Sequence, residues 1–156
     1  MKKMNWFFKI GLIFIFIFLF SCKSLDYAEC TKIHHKELII RWGENFNAEN
    51  RKVGYELNSK AELFKYENIN NKKTSFSKVG NVNQERYCNI LSMITKTILK
   101  TQVVNEIGDT LRYFEYLNPE KNSNLYFKWH PRFNTKNSRG FQEIYDSLNI
   151  LKLSLD

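Results

Sequence analysis

Bond-forming, metal-holding or proton-moving chemistry in this chain would fall to three cysteines, Cys22, Cys30 and Cys88, and three histidines, His34, His35 and His130. Their spacing works against most of it. Two adjacent histidines followed by a third almost a hundred residues later match no metal-ligand spacing. Cys88 and His130 are the one thiol–imidazole pair to consider, but nothing in the sequence places a third group to orient the ring, and a cysteine on a helix face is expected to be structural. Gly-x-Ser-x-Gly, a phosphate-cradling glycine loop and Cys-x-x-Cys are all missing. Trp129-His130-Pro131-Arg132 reads as a strand end entering a loop, with Trp129 inward and His130 and Arg132 solvated. No catalytic, cofactor-binding or metal-ligating residue is predicted, and no cofactor.

The elements that must carry these residues follow from the apolar periodicity. Leu38, Ile40 and Trp42 alternate as one side of a strand, and Val53, Tyr55 and Leu57 as one side of the next. Asn58-Ser59 predicts a hairpin turn into a strand over Ala61 to Glu67, Asn68 to Lys73 a loop, and Thr74 to Val79 a weaker fourth strand. The period then changes. Tyr87, Ile90, Leu91, Ile94 and Ile98 recur at helical steps over about five turns, with Asn81 the expected cap and Gln84 in the capping-box relation. Val103 and Val104 are ambiguous, and Glu106-Ile107-Gly108-Asp109 reads as a turn. Leu111 to Leu117 and Leu125 to His130 alternate again, separated by a polar loop that Asn118-Pro119 opens. Phe141, Ile144, Tyr145, Leu148 and Leu151 form a clean helical stripe, with Gln142, Glu143, Asp146 and Asn149 opposite. Hairpins in series with two helices predict an α+β domain: a mostly antiparallel sheet of about five to six strands with two amphipathic helices packed on one face.

The first residues carry a different message. Lys2, Lys3 and Lys9 lead to the apolar run Ile10 to Phe20, which closes in Leu19-Phe20-Ser21-Cys22. This resembles the signal of bacterial lipoproteins. The resemblance covers only the leader, and it implies a signal peptide over 1–21, a diacylglyceryl group on Cys22 as the mature amino terminus, a lipidated tether over 22–36 and a single domain over 37–156. The apolar run of 11 residues is too short to span a bilayer, which needs about 20. Two acyl chains anchor stably where one holds only marginally, each buried methylene contributing roughly 0.8 kcal/mol. Lys23, where an inner-membrane retention signal would have Asp, implies the outer membrane of the cell envelope. An ordinary signal cut after Ser21 would instead leave Cys22 free.

Charge and cysteine count then narrow the function. Loss of the three leader lysines lowers the formal charge from +8 to +5, and the basic residues that remain are scattered in pairs such as Arg51-Lys52 and Lys72-Lys73. Nucleic-acid binding would gather them on one face, so no nucleic-acid partner is predicted. With Cys22 lipidated, Cys30 and Cys88 are left as an even pair in an oxidising compartment. Joined, they would close a 58-residue separation worth about 4 kcal/mol at most; otherwise Cys88 is a small buried hydrophobe and Cys30 an idle thiol. The expectation is a membrane-anchored envelope protein acting as a protein-binding, inhibitory or immunity-type module without catalysis. It would partner the membrane through Cys22 and an envelope protein, with no small-molecule ligand. The alternative is a small envelope hydrolase or wall-modifying enzyme.

Overall fold

The computed structural model describes residues 30, 36–100, 104–132 and 135–153. Strands β1 (Ile39–Phe46), β2 (Arg51–Asn58), β3 (Glu62–Ile69) and β4 (Lys72–Asn81) form a meander of antiparallel hairpins. Helix α1 (Gln84–Lys100) crosses back, and β5 (Thr110–Asn118) and β6 (Ser123–Trp129) then add to the other side of β1 before helix α2 (Arg139–Leu153). The sheet order is β4-β3-β2-β1-β5-β6, antiparallel throughout, and the class is α+β.

Asparagines make the turns. Asn50, Asn70, Asn71 and Asn122 all take left-handed backbone conformations, which Asn tolerates better than other residues with a side chain. Asn58 closes the β2–β3 turn by accepting hydrogen bonds from the Lys60 and Glu62 amides at 2.9 and 3.0 Å. The segment Asn68 to Lys73, expected to be a loop, is mostly strand: only Asn70 and Asn71 turn, and β4 is the longest strand of the sheet. The two-residue turn suffices because both central asparagines accept positive φ. The helix cap is likewise displaced from its expected position. Asn81 ends β4, and Asn83 caps α1 by accepting from the amides of Glu85 and Arg86 at 2.9 and 3.4 Å.

Both helices pack on the face of the sheet defined by Ile40, Trp42, Leu57, Leu63, Phe114, Tyr116, Phe127 and Trp129. Tyr87, Ile90, Leu91 and Ile94 of α1 join Phe141, Ile144, Tyr145, Leu148 and Leu151 of α2 in that core. The two buried indoles are satisfied from the half-polar flank of α2: Trp42 Nε1 donates to Asn149 and Trp129 Nε1 to Gln142, at 3.1 and 2.9 Å. Gln142 and Asn149, expected on the outer side of the helix, therefore fix its seat on the sheet. Among the described residues no helix is long and apolar enough to cross a membrane.

Candidate functional site

Among the described residues no helix covers the opposite face of the sheet, and strand register arranges its side chains in rows. One row runs Glu115, Arg41, Glu56 and Phe64 across β5, β1, β2 and β3. Arg41 Nε donates to Glu56 at 2.8 Å and its Nη1 to Glu115 at 3.2 Å, while Lys73 adds a third charge 3.9 Å from Glu56. Glu56 is only 7% exposed, so its charge depends on these partners. Burial works against the Arg41 charge, yet Glu56 and Glu115 outweigh it and raise the guanidinium pKa above its ordinary value.

The next row is Tyr113, Gly43, Gly54 and Tyr66. A Cβ on Gly43 would overlap the Val53 carbonyl oxygen, and one on Gly54 would overlap that of Trp42 and stand 2.6 Å from the Tyr113 hydroxyl. Into the gap left by the two bare backbones, the Tyr66 and Tyr113 hydroxyls turn and hydrogen-bond to each other. Burial pushes both phenols far above the ordinary tyrosine value. The third row is Leu111, Asn45, Lys52 and Asn68. Lys52 extends toward the aromatic side of the face, its ammonium 4.6 Å from the Tyr126 ring centre and 5.7 Å from that of Tyr113. Desolvation lowers the Lys52 pKa, with Arg41 and Lys128 adding repulsion that Glu115 offsets in part. Burial likewise pushes Tyr126 up to about 12, and Glu115 adds to it; the Asn45 amide lies close enough to offset a little without completing a well-formed hydrogen bond.

No protein-family model matches the chain, and a comparison with curated proteins finds no match.

The residues singled out by type lie elsewhere. Cys22, His34 and His35 fall outside the described residues. Cys30 and Cys88 are joined by a disulfide, their Cα atoms 5.6 Å apart, on the second turn of α1. Bonded in this way, Cys88 offers no thiol to His130. His130 stands after β6, its backbone amide donating to Glu106 at 2.7 Å and its Nδ1 accepting from the Arg132 amide at 3.1 Å, so the ring organises a turn. Trp129 is inward and Arg132 exposed. Sequence reasoning passed over Arg41, Lys52, Glu56, Glu115, Tyr66 and Tyr113. Their signal was present as the complement of the apolar alternation: positions 41, 43 and 45 interleave with Ile40 and Trp42, and positions 52, 54 and 56 with Val53, Tyr55 and Leu57.

Proposed function

We propose that this chain is an exported protein anchored in the bacterial outer membrane through lipid on Cys22, and that its domain is a non-catalytic module binding an envelope protein through the open sheet face. The leader supports the anchor: basic residues, an 11-residue apolar run and Ser21 directly before Cys22. The observation that carries the orientation is the Cys30–Cys88 disulfide on α1. It ties the chain to the helix layer eight residues after Cys22, and eight residues reach at most about 28 Å. An anchor at Cys22 therefore holds the helix side toward the bilayer and turns the open face away from it. Arg86, Lys96 and Lys100, all exposed on α1, suit an anionic headgroup surface.

The chemistry of the open face supports recognition over catalysis. Arg41 and Lys73 together balance the charges of Glu56 and Glu115, and the buried tyrosines are driven away from neutral pH, whereas a general acid or base works best with a pKa near the working pH. Intact mass of the native protein should show a chain beginning at Cys22 with a diacylglyceryl thioether, fractionating with outer-membrane markers. A photo-crosslinking residue at Lys128 or Lys78 should capture one defined envelope protein in intact cells, and the same residue at Glu143 on α2 should not. An unmodified Cys22 would refute the anchor. Equal capture from both faces would refute the binding face.

A further inference from the structure

Strand β4 ends the sheet with its outer backbone bare. Among the described residues no backbone hydrogen bond reaches that side, whereas Val104 and Glu106 pair with Lys128 along the outer side of β6. β4 runs for ten residues and is exposed from Lys72 to Lys78. A bare edge of this length is a template for another strand. Two register shifts against β3 bracket the regular stretch Ser75 to Lys78, in which Phe76 lies beside Tyr66 and Lys78 beside Phe64 on the open face. Phe76 is 42% exposed, with Phe64 stacked against it and the Lys73 ammonium 3.6 Å from its ring centre. Along this edge the open face therefore presents ammonium, phenyl, ammonium. The strand carries three lysines and no acidic residue. Lys73 and Lys78 do approach Glu56 and Glu62, at 3.9 and 2.7 Å, but pairs made by side chains more than two-fifths exposed contribute little and leave each ammonium open to a second carboxylate.

We infer that the β4 edge takes an added strand from the protein partner, a short extended segment with acidic residues two positions to either side of an apolar one; this rests on the open-face reading and names the form in which the partner arrives. The acidic residues meet Lys73 and Lys78, and the apolar side chain lies on Phe76. Main-chain hydrogen bonds supply affinity, and the charges and the phenyl supply specificity. The register shifts limit the added strand to roughly five residues. A second copy of this chain fits worse. Antiparallel pairing of two β4 strands centred on Ser75 sets Lys72 opposite Lys78, and pairing centred between Ser75 and Phe76 sets Lys73 opposite Lys78. Like charges directly opposite destabilise a strand pair. The lysines thus reject the copy and attract the acidic strand.

The test is a titration of the full, isotope-labelled chain in detergent micelles with the peptide acetyl-Thr-Glu-Thr-Val-Thr-Glu-Thr-amide. Saturable amide shifts should run along Ser75 to Lys78 with a Kd below about 1 mM, and the outward amides of β4 should exchange at least about tenfold more slowly. Successive amides of a strand point to opposite sides. Methylating the backbone nitrogen of the peptide's third residue or of its fourth, one at a time, should therefore weaken binding by about tenfold or more in one case and little in the other. Lysine in place of both peptide glutamates should abolish binding, and Lys73→Glu with Lys78→Glu should reverse that preference, which a damaged fold cannot do. No saturable shift, the same effect from both methylations, or an unaltered preference in the double variant would each overturn the inference. So would outward amides already protected without peptide: a dependence on protein concentration would put a second copy at the edge, and its absence another segment of this chain. In intact cells a photo-crosslinking residue at Ser77 should capture the same envelope protein as one at Lys128. Capture at Lys128 alone would overturn the added strand and leave the open-face reading standing, whereas no capture at Lys128 with peptide binding kept would fail that reading and keep the edge.

Discussion

Two glycines decide how the open face is built, because a side chain at either would meet the backbone of the neighbouring strand. Gly54→Ala would press a methyl against the Trp42 carbonyl and the Tyr113 hydroxyl. It should cost at least the roughly 1 to 3 kcal/mol of ordinary overpacking, since backbone relaxes less readily than a side chain; chemical unfolding will measure it. Arg41→Ala leaves the Glu56 carboxylate buried without its main partner. About 3 kcal/mol is expected, the lower end of the range for broken buried pairs because Arg41 itself is a quarter exposed. Replacing Arg41, Glu56 and Glu115 together by leucines should recover most of that loss. The tyrosines give a pH signature. Tyr66, Tyr87, Tyr113, Tyr116, Tyr126 and Tyr145 all have raised pKa values, burial being the first cause in each. A raised folded value means that the folded state keeps the proton longer, so the contribution to stability is complete below about pH 10 and is lost as pH rises toward values such as the 12 of Tyr126. Phenolate absorbance should therefore lag the ordinary tyrosine curve and then rise together with loss of near-ultraviolet dichroism. A titration centred at the ordinary value in folded protein would contradict this burial.

Among the elements, α2 has the largest leverage, since Phe141, Ile144 and Leu148 are fully buried and Gln142 and Asn149 satisfy two buried indoles. Leu148→Ala should cost about 2 to 5 kcal/mol, a large part of the roughly 5 to 15 kcal/mol that a domain has in total. A chain ending near Asn137 should show no cooperative thermal transition. Asp146→Asn should be nearly silent, because among the described residues its exposed carboxylate accepts only from Gln142, one turn earlier on the same helix. The two sheet edges are treated differently. The outer side of β6 is partly covered, with Lys128 donating to the Val104 carbonyl and the Glu106 amide donating to that of Lys128. β4 is an open edge guarded by Lys72, Lys73 and Lys78 and by two register shifts against β3, devices that discourage edge-to-edge pairing. The stacked Phe64 and Phe76 rings, 4.6 Å apart, hold this strand from the open side.

For the molecule as a whole, the Cys30–Cys88 bond closes a loop that takes in β1 to β4 and the start of α1. The chain-entropy relation assigns such a loop about 4 kcal/mol. Reduction, or replacement of both cysteines by serine, should lower the melting temperature by comparable amounts, and non-reducing peptide mapping should recover the two cysteines together. A chain taken from the envelope with both thiols open to alkylation would contradict the bond. The rest of the stability is one core: both helices and the buried apolar residues of the helix-facing side of the sheet share a single cluster, so unfolding should be a single transition.

The apolar alternations of Leu38 to Trp42, Val53 to Leu57 and Leu125 to Trp129, with the stripe from Phe141 to Leu151, determined the strands, the α2 helix, the α+β class and the face each element buries. Burial of apolar surface is a short-range pattern along the chain, so it can be read without coordinates. Strand bounds around Asn70 and the cap at Asn83 were less legible, because Asn serves equally as loop residue, left-handed turn residue and cap. The candidate site was not legible at all. Arg41, Glu56 and Glu115, and likewise Asn45, Lys52 and Asn68, are scattered polar residues until β1 is laid between β2 and β5 and register aligns them. That order is set only when α1 returns the chain to the far side of β1, a long-range packing choice no local spacing encodes.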